Sequence, residues 1–195
     1  DGSITEVLAD HKVKAGDVFY LPAGRVHAIC GGILLAEVQQ SSDVTYRIFD
    51  YNRPGMDGKP RELHTELAAK ALDFHVEANY RTEYNSESDK AVHIIDTPYF
   101  DVRVMDIAKP FHRNLLKYDS FVISMCIEGD CKIRVRSTGE EVLLQEGHST
   151  LIPAAIADYD VIPQKGNTRL LDAYIDNKDR SLSHKMTRFL HITNQ

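Results

Sequence analysis

The sequence predicts an all-β chain in which two successive β regions are separated by a single helix. Residues 15–51 contain short apolar runs divided by Gly and Pro turns, residues 62–74 carry helical periodicity, and strand-like alternation resumes at Val92. Several short strands at such spacing are typical of a sandwich or a barrel. The 195 residues and 43% hydrophobic content suit one or two domains with ordinary cores.

The first β region is organised around a proline-glycine corner. Its apolar runs, predicted to be strands, are Val18–Leu21, Ala28–Ile29, Ile33–Val38 and Thr45–Tyr51. A turn at Pro22-Ala23-Gly24 and a break at Gly31-Gly32 divide them, because proline fixes φ near −65° and glycine accepts a positive φ. His27 therefore follows a fixed corner, on the opening residues of a strand. The preceding segment, Ile4–Leu8, is expected to be the end of another strand.

A helix is predicted over Glu62–Phe74, where apolar residues recur at spacings of three and four and LAAKAL supplies strong helix formers. The polar segment Val76–Lys90 is expected to be a linker. These features predict a first domain at 1–75, the linker at 76–90, a second domain at 91–176 and a tail at 177–195.

In the second β region, apolar and charged residues alternate, which is the period of half-buried strands. The alternation is clearest from Phe100 to Val104 and again at Ile133–Val135. Hairpin turns are predicted at Glu128-Gly129-Asp130 and at Ser137-Thr138-Gly139. Cys126 and Cys131 flank the first of these turns, so the sequence allows them to lie opposite each other as buried free thiols.

Composition excludes several classes of function. The formal net charge of −6 argues against a nucleic-acid surface, which needs a clustered basic face. No apolar run approaches the roughly 20 residues that span a bilayer, and the opening DGSITEV has no signal-peptide character. Three cysteines without a CxxC indicate neither a disulfide framework nor a zinc ribbon. A reducing cytoplasm is the expected location.

Four polar side chains lie close together in the first β region and could face one small polar substrate: His27, Glu37, Asp43 and Arg47. Each also has a structural alternative. The histidine could simply be hydrogen-bonded beside its turn, and Asp43 could brace the turn at Ser41-Ser42-Asp43. The arginine could be solvated or paired with either carboxylate. From the residues alone these alternatives stay open.

The residue spacing of the corner recurs later in the chain. Gly147 to Pro153 repeats the spacing of Gly16 to Pro22 at an offset of 131 residues (147 − 16). Asp158 then falls at the position of His27. A duplicated barrel whose second copy lost a metal ligand would show this pattern.

The spacing of Gly16, Pro22, Gly24 and His27 is the second half of the cupin signature. The longer run PAGRVHAI followed by GILLAEVQQSSDVTYRIFDYNRPGMDGKPRELH closely resembles the short-type, zinc-dependent (type I) mannose-6-phosphate isomerases. The resemblance is strong from Val13 to about Phe74 and weaker from Val92 to Ile175. It implies a tandem cupin-like β-barrel or jelly-roll with an incomplete first barrel, one inserted helix and a second, non-catalytic cupin-like domain.

The resemblance also implies site residues. His27 corresponds to a zinc ligand and Arg47, ten residues after Glu37, to the catalytic arginine. Glu37 and Asp43 fall on the active-site wall, and Arg53 lies where some relatives carry a cation near the substrate phosphate. The implied reaction interconverts mannose 6-phosphate and fructose 6-phosphate by zinc-assisted proton transfer through an enediol. Whether Glu37 moves the proton or orients Arg47 or a sugar hydroxyl stays open.

The first half of the cupin signature, with His-x-His and a following glutamate, is not found in the sequence. The other zinc ligands are therefore expected upstream, and the chain is expected to be a C-terminal portion that is inactive alone. The alternative is a non-enzymatic cupin that binds a sugar or sugar phosphate, and a purely structural domain is a third possibility. The expected partner is a small-molecule hexose phosphate, with neither nucleic acid nor membrane.

Overall fold

The computed structural model describes residues 2–41, 44–118 and 120–175, and the predicted tail at 177–195 and Asp43 lie outside them. The chain divides into two compact units between Thr82 and Glu83, inside the segment predicted to be a linker. The first half of that segment bonds to the first unit, where the Thr82 amide donates to the Val18 carbonyl at 2.8 Å. Its second half bonds to the second unit, where the Asp89 amide donates to the Asp106 carbonyl at 2.7 Å.

The described part of the first unit contains two short helices and no strand ladder. A 3₁₀ helix covers Gly2–Glu6, where the end of a strand was predicted, and helix α1 covers Thr65–Ala71. Extended pairing is limited to isolated bridges, Phe19 with Arg81 and Pro54 with Pro60. The prediction of four strands between residues 18 and 51 is therefore wrong: the described residues there do not pair into a sheet. The apolar pattern gives an extended chain, but a strand also needs the N–H and C=O groups of a neighbouring strand.

Helix α1 is shorter than the predicted Glu62–Phe74. It begins after His64, whose amide is already bonded to the Arg47 carbonyl at 2.7 Å and whose φ of −118° is not helical. It ends at Leu72, which has an extended ψ of 131°. The non-helical φ of His64 and the extended ψ of Leu72 therefore set the two ends of this helix, which periodicity alone does not locate.

The second unit is an all-β structure with nine strands in its described residues. In chain order they are β1 Ala91–Asp96, β2 Asp101–Ile107, β3 Phe111–Asn114, β4 Val122–Glu128, β5 Cys131–Val135, β6 Glu141–Leu144, β7 Ser149–Ile152, β8 Asp158–Pro163 and β9 Thr168–Tyr174. One sheet has the order β1-β2-β9-β4-β7 and the other the order β3-β8-β5-β6. Every pairing between these strands is antiparallel.

The core of this unit lies between the two sheets, which do not close into one barrel. It includes Met105 and Leu170 from the five-stranded sheet and Ile133 and Val161 from the four-stranded sheet, all at most 5% exposed. The central strand β9 alternates buried and half-buried residues along its whole length, as a strand with one face inward does. An all-β fold with one inserted α-helix is confirmed.

The two predicted hairpin turns have different outcomes. Ser137-Thr138-Gly139 joins β5 to β6, which pair directly, so this hairpin is confirmed. The hairpin at Glu128-Gly129-Asp130 is wrong, because β4 and β5 belong to different sheets. A turn sequence shows that the chain changes direction, but it does not show which strand it meets next. Cys126 and Cys131 are nevertheless both buried and free.

The repeated spacing of Gly16–Pro22 and Gly147–Pro153 is accompanied by similar local structure. Gly16 and Gly147 have positive φ values of 92° and 76°. At each glycine the following amide donates to the carbonyl two residues before the glycine, at 3.1 Å in both cases. The carbonyls of Pro22 and Pro153 each accept from the amide three residues later, at 3.2 and 2.8 Å. The two units therefore share a pair of hydrogen-bonded turns at the same spacing, and the duplication stays a prediction.

Candidate functional site

The corner predicted before His27 is present and is fixed against helix α1. The Arg25 amide donates to the Pro22 carbonyl at 3.2 Å, and Gly24 has a φ of 88°, as in a type II turn. A Cβ on Gly24 would lie 2.5 Å from the Ala71 carbonyl oxygen. The Asp73 amide also donates to the Gly24 carbonyl at 3.0 Å. Only glycine fits this position without movement of the backbone.

His27 is exposed beyond this corner, with its Nδ1 atom 3.0 Å from the Arg25 carbonyl oxygen. Since a carbonyl can only accept, Nδ1 carries the proton of this hydrogen bond, and a neutral ring then keeps its lone pair on Nε2. Metal-binding histidines are oriented in this way. Among the described residues, the donor group that could hold an ion does not include His27. The described residues therefore offer one oriented nitrogen here, Nε2 of His27, but not a complete set of ligands.

Arg47 is held by backbone and carbonyl contacts. Its amide donates to His64 Nδ1 at 3.2 Å, and its Nη1 donates to the Glu62 carbonyl at 3.1 Å. Within the described ranges no carboxylate forms an ion pair with its guanidinium. A carbonyl orients the planar group without cancelling its charge, so the remaining N–H donors stay suited to an anionic oxygen.

The other predicted site residues are placed less completely. Glu37 is exposed, and Asp43 lies outside the described residues. In the part of the chain that the structure describes, no hydrogen bond or ion pair joins any two of His27, Glu37, Arg47 and Arg53. Their shared role stays a prediction.

Arg53 belongs to a charged cluster around a buried carboxylate. Asp50 is 7% exposed and accepts hydrogen bonds from Arg53 Nη2 at 2.7 Å and from Arg61 Nε at 2.5 Å. Hydrogen bonds from Arg61 and then Arg53 hold the pKa of Asp50 far below its usual range. Arg53 and Arg61 also line an open cleft of about 260 Å³ together with Met56. Two guanidiniums facing one carboxylate leave a positive balance that suits an anionic group.

The interior of the second unit holds a buried ion pair. Arg113 Nη2 lies 2.9 Å from Asp172 Oδ2, and the Ser124 hydroxyl donates to Asp172 Oδ1 at 2.7 Å. Burial would lower the pKa of Arg113, but its interactions with the Asp172 carboxylate and with Tyr159 more than offset this, so the pKa is raised. This ion pair is therefore part of the interior of the second unit.

The second unit also contains a group that the sequence reasoning missed. His93, Asp96 and Asp101 each offer a ligand atom, and these three atoms lie within 4.8 Å of one another. In the described part of the chain this is the group that could hold a metal ion. The sequence contains no signal for this group, because the spacing of three between His93 and Asp96 normally puts two residues on opposite faces of a strand.

Two antiparallel sheets around one core are typical of a cupin-like β protein. Residues 90–175 match the family model described as mannose-6-phosphate isomerase, cupin domain. The predicted resemblance is confirmed: the chain is related to the mannose-6-phosphate isomerases through a cupin domain of that family. No described helix has the length and apolar character required to cross a membrane.

Curated relatives and a solved structure agree with this assignment. A mannose-6-phosphate isomerase of Bacillus subtilis is 32% identical over 161 residues, covering 81% of this chain and 50% of the relative. One from Streptococcus mutans is 30% identical over 159 residues, covering 81% and 49%. A crystal structure of the mannose 6-phosphate isomerase from Bacillus subtilis aligns with a TM-score of 0.58 and 28% identity over 70% of this chain and 42% of that chain. The chain spans about half the length of the curated relatives it matches.

Proposed function

We propose that this chain supplies the arginine and one metal ligand of a mannose-6-phosphate isomerase. The enzyme is an aldose-ketose isomerase that interconverts mannose 6-phosphate and fructose 6-phosphate. The observation that carries the proposal is the setting of Arg47. Its guanidinium is oriented by a neutral carbonyl at 3.1 Å and lacks a carboxylate counterion among the described residues. The free cysteines suit a reducing cytoplasm.

Aldose-ketose isomerisation needs negative charge to be stabilised on oxygen. A proton moves between C1 and C2 of the open-chain sugar, and charge builds on the adjacent oxygens as the enediol forms. The Arg47 guanidinium can donate to such an oxygen without first breaking an ion pair, so its charge is available in the transition state. Glu37 is the carboxylate assigned to the same site, either to move the proton or to orient Arg47 or a sugar hydroxyl.

His27 would hold the zinc ion through Nε2, the nitrogen left with a lone pair by the Nδ1 contact to Arg25. Bound zinc supplies a Lewis acid that polarises the sugar carbonyl. A catalytic zinc ion needs about three protein ligands. His27 lies outside the described three-donor group, so the proposal requires further ligands from beyond the described residues.

The cleft between Arg53 and Arg61 would take the phosphate of the substrate. Both guanidiniums line it, and a single carboxylate, Asp50, balances them. The Arg53 side chain is 64% exposed and can therefore reach a phosphate oxygen while it keeps its bond to Asp50. Asp43, which lies outside the described residues, is proposed to contact the substrate as well.

The test is isomerase turnover in the longest natural polypeptide that carries this sequence. Conversion of mannose 6-phosphate is followed by a coupled assay for fructose 6-phosphate. We expect turnover that is lost after metal chelation and restored by zinc, and we expect none from the 195 residues alone. Sugar-phosphate binding without turnover in the long polypeptide would contradict the proposal and would favour a non-enzymatic binding domain.

The same assay applied to His27→Gln separates a zinc role from a structural one. We expect loss of turnover that added zinc does not restore at the concentration that saturates the unsubstituted protein. Unchanged zinc dependence in the variant would refute the assignment of His27 as a ligand. Circular dichroism provides the control for folding.

A further inference from the structure

We propose that the second unit binds a divalent transition-metal ion at the β1–β2 hairpin through His93, Asp96 and Asp101. The three candidate ligand atoms lie within 4.8 Å of one another, a separation that a single ion can bridge. The site lies in a different unit from His27 and Arg47, so the proposal does not depend on the isomerase assignment.

A β-bulge brings the three donors to one face. His93 is opposite Arg103, but Ile95 is opposite Val102, so the register shifts by one residue between His93 and Ile95. In a regular ladder Ile95 would face Asp101, and Asp96 would point to the other side of the sheet. The bulge instead places Asp96 directly opposite Asp101. Bulges are enriched beside functional sites because they redirect side chains in this way.

One of the three donors is buried and the other two are exposed to solvent. The Asp101 side chain is 4% exposed, and its Oδ1 lies 2.5 Å from His93 Nε2. The His93 side chain is 39% exposed and Asp96 is exposed, so an ion can enter from solvent. Strand β1 is the edge of its sheet, and no described strand covers that side.

The charge of the cluster suits a divalent ion. Two carboxylates and a neutral imidazole carry two negative charges, and mixed nitrogen and oxygen donors favour ions such as zinc over calcium or magnesium. One cation, Arg103, is opposite His93 in the ladder. Its guanidinium carbon lies over the rings of Tyr118 and Tyr174, at 6.0 and 5.6 Å from their centroids. Aromatic faces attract this charge and compete with the carboxylates for it.

The test is calorimetric titration of the metal-stripped 195-residue chain with zinc. We expect one equivalent to bind at this hairpin, with an affinity that falls at least about tenfold in His93→Gln and in Asp96→Asn, since loss of a direct ligand costs no less than loss of an outer-shell partner. Asp96 is the informative position, because its side chain is exposed and its replacement leaves the buried Asp101 in place. Circular dichroism of each variant confirms that the sheets still form.

Two control variants separate this site from other histidines. His112 forms a similar pair with Asp158 at 2.6 Å but belongs to no described three-donor group, so His112→Gln should bind zinc as the original chain does. His27→Gln should also keep the equivalent assigned to the hairpin. Failure of the chain to bind zinc, or equal binding by the folded His93 and Asp96 variants, would overturn the proposal. Loss of this equivalent in His27→Gln alone would place the ion at the corner instead.

Discussion

Replacement of Asp172 by alanine should strongly destabilise the second unit. The carboxylate is 1% exposed, pairs with Arg113 at 2.9 Å and accepts the Ser124 hydroxyl at 2.7 Å. At an effective dielectric constant of about 20, a pair at this distance interacts by roughly 6 kcal/mol, and desolvation offsets part of that energy. Removal of one partner leaves Arg113 charged in the core. Such losses cost about 3–5 kcal/mol.

The free energy of unfolding can be measured by urea titration followed by circular dichroism. With a slope of about 1.5 kcal/mol per molar urea, the midpoint should fall by roughly 2–3 M. The matched control is Asp158→Ala, which breaks the half-exposed pair with His112 and should cost less than about 1 kcal/mol. The double variant Asp172→Ala, Arg113→Met removes both charges and should recover much of the loss. A cost below about 1 kcal/mol for Asp172→Ala would refute the reasoning.

Three further predictions concern other parts of the chain. Gly24→Ala should destabilise the first unit by about 1–3 kcal/mol in urea titration, because of its φ of 88° and the nearby helix carbonyl, whereas Gly31→Ala, with nothing within 4 Å, should be neutral. The pKa of Asp106 is lowered, chiefly by the hydrogen bond from Arg169 on β9. The ionised carboxylate therefore stabilises the folded state above about pH 4, and this contribution is lost as pH falls through the folded pKa. Asp106→Asn should therefore reduce the fall of the urea midpoint below about pH 4. A variant whose midpoint depends on pH as in the original chain would contradict this. Cys30 should react with a thiol reagent well before Cys131, whose pKa burial raises to about 12, and simultaneous labelling in the folded chain would argue against it.

Local patterns predicted strands of the second unit where apolar residues that alternate in the sequence are buried in the core. The alternation around Val102 and Val104 indicated β2, and both residues are at most 4% exposed. Turn chemistry at Ser137-Thr138-Gly139 likewise predicted a hairpin that forms. In both cases the information lies in neighbouring residues, so the sequence alone was sufficient.

Where structure depends on a distant partner, prediction failed or was incomplete. The extended runs before Tyr51 carry a strand pattern but have no paired neighbour among the described residues, apart from the bridge at Phe19. The bulge between His93 and Ile95 reverses the face of Asp96, and no residue type in that segment marks its position. The corner at Gly24 was predictable, but the contact with the end of α1 that fixes it was not.

The role of Arg47 is tested most directly by steady-state turnover of mannose 6-phosphate in the longest natural polypeptide that carries this sequence. Arg47→Ala should lower kcat by about 10²–10³ with little change in KM, as expected for a donor that acts on charge in the transition state. Arg47→Lys should recover only part of the loss, because lysine keeps the charge without the planar fork. Arg136→Ala, at an exposed arginine of the second unit, should leave kcat unchanged. A folded Arg47→Ala variant that retains kcat within about twofold would contradict the assignment of this guanidinium to the reaction.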